Sequence, residues 1–284
     1  MPDTTPSATQ TSGDACQEEG WRPDLATLRA RLDTIDDQIH DLLMDRARVV
    51  EGVARSGKAA AFRPGREAAI LRRLLARHTG ALPAHTLVRM WREMLAGTTG
   101  MQTSVTIAVF DSPAEGLAAN GALTAIAREH FGFLTPILAH DSLNATLAAV
   151  RAGTVTAAVV PFPADTAAWA AAWRALTEAE PRLYVIARLP FWEARPAHVP
   201  DAGALVIATA SPDPSGHDRS FLVLPETPDR ACLTHVLLED AGLTLRAAHG
   251  RVAEVEGMVT DDDPRLPNAI RLGGYAIPVA GDAP

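Results

Sequence analysis

Between residues 24 and 104 a few polar side chains interrupt an otherwise regular apolar helical pattern: Arg46, Lys58, Arg66, Glu67, Thr98 and Gln102. Lys58 is the only lysine in a chain with 25 arginines. Lysine is a compact point charge, whereas arginine is a flat five-donor fork, so a site needing one small cation cannot readily exchange them. Arg46 falls at a core position of a helical stripe, where a guanidinium needs an anionic partner, and Glu67 is the acidic residue that offers itself. Glu67 also suits the first turn of a helix, Arg66 could be solvated, and Thr98 and Gln102 could be a fraying helix end. Taken together, several cations with one carboxylate and one amide form poor acid–base machinery. The chain has no serine–histidine or cysteine–histidine pairing, no paired carboxylates and no metal-ligand spacing. Such a set suits a cage for a dianion whose reaction needs charge placed in the transition state. A small dicarboxylate developing negative charge on an ether oxygen fits: arginines grip carboxylates, and a lysine and an amide donate to the oxygen.

Three helices must carry these residues. Leu25, Leu28, Leu32, Ile35, Ile39, Leu42, Val49 and Val53 fall at alternating steps of three and four, with Arg46 in the vacant heptad position. Starting at an Asp24 N-cap and running to Ser56, that helix is about 50 Å long at ~1.5 Å per residue. So long a helix in so small a segment must find partners outside its own fold, and dimerisation answers that need. The loop Gly57–Gly65, containing Pro64, ends it. A second helix is predicted over Arg66–His78 with Ile70, Leu71, Leu74 and Leu75 inward. A third is predicted from Ala84 to Gln102 with a stripe of Leu87, Met90, Trp91, Met94 and Leu95. Thr98 and Gln102 sit four apart and face the same way.

After Ser104 the pattern becomes β-α-β-α-β, an α/β layer with a parallel sheet. Strands are predicted at Val105–Phe110, Pro136–Ala139, Ala157–Phe162, Leu183–Arg188 and Ala204–Thr209. Helices are predicted at Ala114–His130, Leu143–Ala152 and Trp169–Glu178. Ser211–His217 reads as a turn-rich linker. A strand (Ser220–Leu224), a helix (Arg230–Ala241) and weaker strands to Pro278 follow. Residues 22–104 carry a net +5 and the rest −13, within a total of −8. One basic segment on an acidic chain suggests an anionic ligand at one place and argues against nucleic acid. There is no apolar run of membrane-spanning length and no signal-peptide pattern at the N-terminus. Cys16 and Cys232 make no framework. A cytoplasmic protein with no membrane partner is the expectation.

Leu25 to Gln102 resembles the all-helical chorismate mutases. The likeness rests on Leu28-Arg29, Ile35-Asp36, Leu42-Leu43 with Arg46, Lys58, Arg66-Glu67, and the third-helix run ending in Thr98 and Gln102. It implies a cofactor-free rearrangement of chorismate to prephenate, in phenylalanine and tyrosine biosynthesis, by an intertwined helical homodimer. Carried over by position, Arg29 resembles the arginine that reaches into the partner's site, and Arg46 the one holding the other carboxylate from its own chain. Lys58 and Gln102 look like the pair on the ether oxygen. Glu67 resembles the carboxylate taking the ring hydroxyl, with Arg66 supporting and Thr98 near a carboxylate. Three departures stand out. Lys58 lies one residue further past Arg46 than the resemblance expects, which makes Arg55 a substitute to test. Arg63 occupies a place where aspartate is common, and Thr98 replaces a serine.

The remainder resembles a worn-down prephenate dehydratase followed by a short ACT-like segment with Leu272-Gly273-Gly274-Tyr275. Ala202-Gly203-Ala204 stands where that family's Thr-Arg-Phe motif is expected, and Phe162-Pro163-Ala164 where Glu-Asn-Ser is expected. No dehydratase activity is expected, and the C-terminal half would be inactive or regulatory. The expected organisation is a leader (1–20), an all-α mutase domain (21–104), an α/β dehydratase-like domain (105–210) and an ACT-like α+β segment (217–284). A non-catalytic aromatic-amino-acid-binding regulator is the alternative.

Overall fold

A computed structural model describes residues 24–56, 62–111, 121–195, 202–225 and 238–281. The chain divides into two compact units, residues 1–50 and 51–284, and the division falls within the first helix.

That helix, α1 (Leu25–Arg55), has none of its residues buried. Asp24 caps it, its carboxylate accepting from the Thr27 amide at 2.7 Å, and this bond depresses the Asp24 pKa. The heptad stripe lies open along its length: Leu25 is 61% exposed, Leu32 59%, Leu42 68% and Val49 66%. Two shorter helices follow, α2 (Pro64–Leu75) and α3 (Ala84–Gly100). Proline at the first position of α2 presets the helical φ where no amide partner is needed. The helix fully buries Ala68 and Leu71, while Ile70, Leu74 and Leu75 are half-buried.

α3 buries Leu95 as expected but otherwise turns a different face inward. Val88, Arg92, Leu95 and Thr99 are inward, whereas Met90 is 50% exposed and Leu87, Trp91 and Met94 are only half-covered. Hydrophobicity alone selects the second stripe. The first is selected by a neighbour the sequence does not reveal, helix α4 (Ala122–Phe131), against which α3 packs.

The rest is a nine-stranded mixed sheet of order β2-β1-β3-β5-β4-β9-β6-β8-β7. Its strands are β1 (Ile107–Phe110), β2 (Ile137–His140), β3 (Ala157–Pro161), β4 (Tyr184–Leu189), β5 (Ala204–Ala208), β6 (Asp218–Val223), β7 (Leu245–His249), β8 (Val252–Glu256) and β9 (Ile270–Ala276). Helices α5 (Leu143–Arg151) and α6 (Thr166–Thr177) complete the β-α-β rhythm. The expected parallel sheet holds for β2-β1-β3. β5 then enters antiparallel to both β3 and β4, so the sheet is mixed. It also runs on across the boundary expected at 210–217, because β4 pairs with β9 through Val185 and Gly273. Gly273 is required there: its φ is +109°, and a Cβ would stand 2.2 Å from the Val185 carbonyl oxygen. One core cluster spans both segments, in which Ile107, Val159, Trp169, Val185 and Val206 pack with Phe221, Leu272 and Tyr275, while Leu222, Leu238, Val255 and Val259 form a second cluster within the C-terminal segment. The expected helices over 114–130 and 230–241 lie partly outside the described residues, and the expected leader (1–20) lies wholly outside them.

Candidate functional site

On α1, Arg29 is exposed and Arg46 is half-buried. Partial burial lowers the Arg46 guanidinium pKa. Lys58 lies outside the described residues.

The start of α2 is built by a segment far away in the chain. The N-cap residue Arg63 supplies no side-chain cap. Instead the carboxylate of Asp213 accepts from the Gly65 amide (3.0 Å) and the Arg66 amide (3.0 Å), two of the first-turn donors a helix leaves orphaned. Arg63, standing where the resemblance expects aspartate, pairs with the same carboxylate, Nε to Oδ2 at 3.3 Å. Further along α2, Arg72 donates to Ser215 Oγ (2.7 Å) and to the carbonyls of His217 (3.0 Å) and Ile277. The Ser211–His217 stretch is therefore a bracket that holds α2.

Glu67 turns inward and meets Arg92 of α3, with Nη1 2.9 Å from Oε2. Desolvation pushes the Glu67 carboxyl up, opposed by Arg92, and pushes the Arg92 guanidinium down, opposed by Glu67. The Arg92 guanidinium also lies 4.8 Å over the Phe191 ring. Beside the pair is His130 of α4, whose ring nitrogens have no hydrogen-bond partner among the described residues. Burial and the Arg92 charge hold its pKa well below the usual value. The space shared by Glu67, Ala96, Thr99, His130 and Thr135 is about 20 Å³, room for a water and no more.

Thr98 and Gln102 occupy a different stripe of α3, about 100° round the helix from Arg92, Ala96 and Thr99. They continue the half-covered Leu87–Trp91–Met94 face. Thr98 Oγ1 donates to the Met94 carbonyl at 3.0 Å, and Gln102 Nε2 to the Thr98 carbonyl at 3.2 Å. The structure thus brings Thr98 and Gln102 together on α3, joins Arg63 to Asp213, and gives Glu67 to Arg92. Arg66 is exposed. Arg92, Asp213 and His130 are the residues that sequence reasoning missed. A glutamate on the apolar side of α2 demanded a buried cation, and Arg92 was a candidate for it one helix on.

Comparison with known proteins bears on this segment directly. Residues 28–103 match the chorismate mutase type II family. The matched span contains Arg29, Arg46, Lys58, Arg63, Arg66, Glu67, Thr98 and Gln102. Among curated relatives, the bifunctional chorismate mutase/prephenate dehydratase of Pseudomonas aeruginosa is 31% identical over 154 residues, covering 50% of this chain and 40% of the relative. The protein of the same description from Neisseria gonorrhoeae is 36% identical over 81 residues, 28% of this chain and 22% of the relative. The chain thus spans well under half the length of the curated relatives it matches. The solved prephenate dehydratase of Arthrobacter aurescens, in complex with L-Phe, aligns with 62% of this chain and 93% of its own at 15% identity and a TM-score of 0.41. Among the described residues, no helix is long and apolar enough to cross a membrane.

Proposed function

We propose that the protein is a chorismate mutase, catalysing the [3,3] rearrangement of chorismate to prephenate without a cofactor or covalent intermediate. The observation that carries this reading is the family match over residues 28–103, which encloses every cation, amide and carboxylate singled out for a dianion cage. In this reading Arg46, with Arg29 of a second copy, grips the two carboxylates and fixes the reactive geometry, which turns binding into lost entropy ahead of the reaction. Lys58 and Gln102 donate to the ether oxygen as its bond breaks and charge develops there. Thr98 and Arg66 line the same site. Glu67 is the member whose position argues for a supporting part, since it faces Arg92 and a space too small for substrate. Glu67→Gln separates the two roles. Lost turnover in a folded protein assigns it the ring hydroxyl, and lost stability with turnover kept assigns it to the pair.

We infer a homodimer from the open face of α1. Burying side chains of the Leu/Ile/Val type stabilises by about 1.5–3 kcal/mol each, and this helix leaves one uncovered in every half-heptad except the one held by Arg46. A second copy presenting the same stripe covers them. Sedimentation of the full chain should give a dimer, and Ile35→Glu should give monomer.

The C-terminal half is proposed to lack dehydratase chemistry, because Ala202-Gly203-Ala204 offers no hydroxyl where one is needed. The deciding experiment follows chorismate and prephenate with purified full-length protein. Prephenate formation with no phenylpyruvate supports both statements. Unchanged chorismate overturns the mutase reading in favour of a binding protein, and phenylpyruvate from prephenate overturns the second statement. A cytoplasmic location accords with this role.

A further inference from the structure

α2 is a 12-residue helix, too short to hold itself together in water, and it lacks a cap of its own. What fixes it is the segment between β5 and β6. The two carboxylate oxygens of Asp213 take the Gly65 and Arg66 amides at 3.0 Å each. The backbones also touch: a Cβ at Gly65 would lie 2.1 Å from the Asp213 carbonyl oxygen. The bracket itself is rigidly built. Asp218, 6% exposed, accepts from the Ser215 amide (2.9 Å), the Ser215 hydroxyl (2.5 Å) and the Gly216 amide (3.1 Å). Ser215 then accepts from Arg72 at 2.7 Å. Both halves of α2 are thus held by groups at residue 213 or beyond, in addition to the Glu67–Arg92 pair that ties it to α3.

We propose that Asp213 is a positioning residue of the mutase site: it sets the first turn of α2, and with it Arg66 and Glu67, so that the α/β body is a working part of the mutase. This rests on the mutase reading above. The consequence is that the body cannot be a passive appendage. A mutase helix whose first turn is anchored from 148 residues away takes its position from the sheet.

The test compares full-length wild type with Asp213→Ala and Asp213→Asn, the second of which keeps an acceptor and the shape. Two quantities are read at a temperature where all three are folded: kcat and KM for chorismate, and amide hydrogen exchange at Gly65 and Arg66. The expected result is slow exchange at both amides in the wild type and fast exchange in the variants. With it, kcat/KM should fall by about 10- to 100-fold through misplacement of the first turn, part of the fall appearing in KM. A purely structural contribution would reduce the folded fraction and leave KM alone. Unchanged kcat and KM in both variants, or wild-type exchange already fast at residues 65 and 66, overturns the proposal. So does global unfolding of Asp213→Asn, which would make the residue a stability element only. If wild type leaves chorismate untouched, the mutase reading fails and the positioning role falls with it. The exchange data then still report whether the bracket holds α2.

Discussion

Arg92 Nη1 stands 2.9 Å from Glu67 Oε2, with the two side chains 4% and 14% exposed. The pair ties α2 to α3 beside the buried His130. Its energetics are asymmetric: an intact buried pair roughly offsets its own desolvation, whereas half a pair leaves a bare charge inside the protein.

Arg92→Met should therefore cost about 3–5 kcal/mol, while Arg92→Met combined with Glu67→Leu should recover most of the loss. Urea denaturation of the three proteins checks both values. The single variant also acquires a pH dependence. Without Arg92 the buried Glu67 has its pKa raised further by desolvation, so the folded state holds that proton more tightly than the unfolded chain. The deficit relative to wild type should be smallest below about pH 4, the ordinary glutamate range, and should grow as pH rises. A deficit independent of pH would show that Glu67 is not desolvated.

Two glycines on neighbouring helices should respond to alanine with opposite signs. At Gly97, inside α3, a Cβ meets nothing within 4 Å, so Gly97→Ala should stabilise by about 0.5–1 kcal/mol through helix propensity. At Gly65 the same change drives a methyl into the Asp213 carbonyl, 2.1 Å away, and should destabilise by about 1–3 kcal/mol or more. Thermal melting of both variants decides; a neutral Gly65→Ala would mean that the bracket stands further from α2.

Gln102→Ala and Lys58→Ala should each lower kcat by about 10²–10³ if they face the breaking ether bond. The fold should not notice the first, since among the described residues the Gln102 side-chain amide donates to its own helix, to the Thr98 carbonyl. Melting temperatures equal to wild type, alongside reduced single-turnover rates, are the expected pattern. If Lys58→Ala is fully active, Arg55→Ala is the variant to examine for the missing cation.

Tyr275 is one of two tyrosines and has none of its surface in water. Burial first, and then the hydrogen bond to Glu254, push its hydroxyl up to about 12. The folded state thus keeps a proton that the unfolded chain gives up near pH 10, and stability should fall as pH climbs from about 10 towards 12. In Tyr184→Phe, whose remaining tyrosine is Tyr275, the ultraviolet tyrosinate band should rise with a midpoint close to 12. A midpoint of 10 would mean that Tyr275 is solvated.

The heptad of α1 was legible because helical periodicity is local: Leu25, Leu32 and Val49 fall on one stripe whatever surrounds them. For the same reason the break at Pro64, the alternation of strands and helices after Ser104, and the spacing of Thr98 with Gln102 could be read directly. The family likeness of residues 28–103 was legible too, since a few charged residues at fixed helical offsets suffice to show it. Long-range pairing was not. Nothing in the linker-like SPDPSGH composition says that Asp213 caps a helix 148 residues earlier, because a cap needs only one carboxylate at hydrogen-bond distance and leaves no periodic trace. Nor does the pattern of β4 and β9 show that they meet at Val185 and Gly273 to make one sheet of what read as two segments. The sequence by itself determined the helical frame and its apolar stripe, and it supplied the charges we propose for a dianion. Only the tertiary structure decided which charges meet, giving Glu67 to Arg92 and Arg63 to Asp213, because an ion takes the partner that packing brings closest.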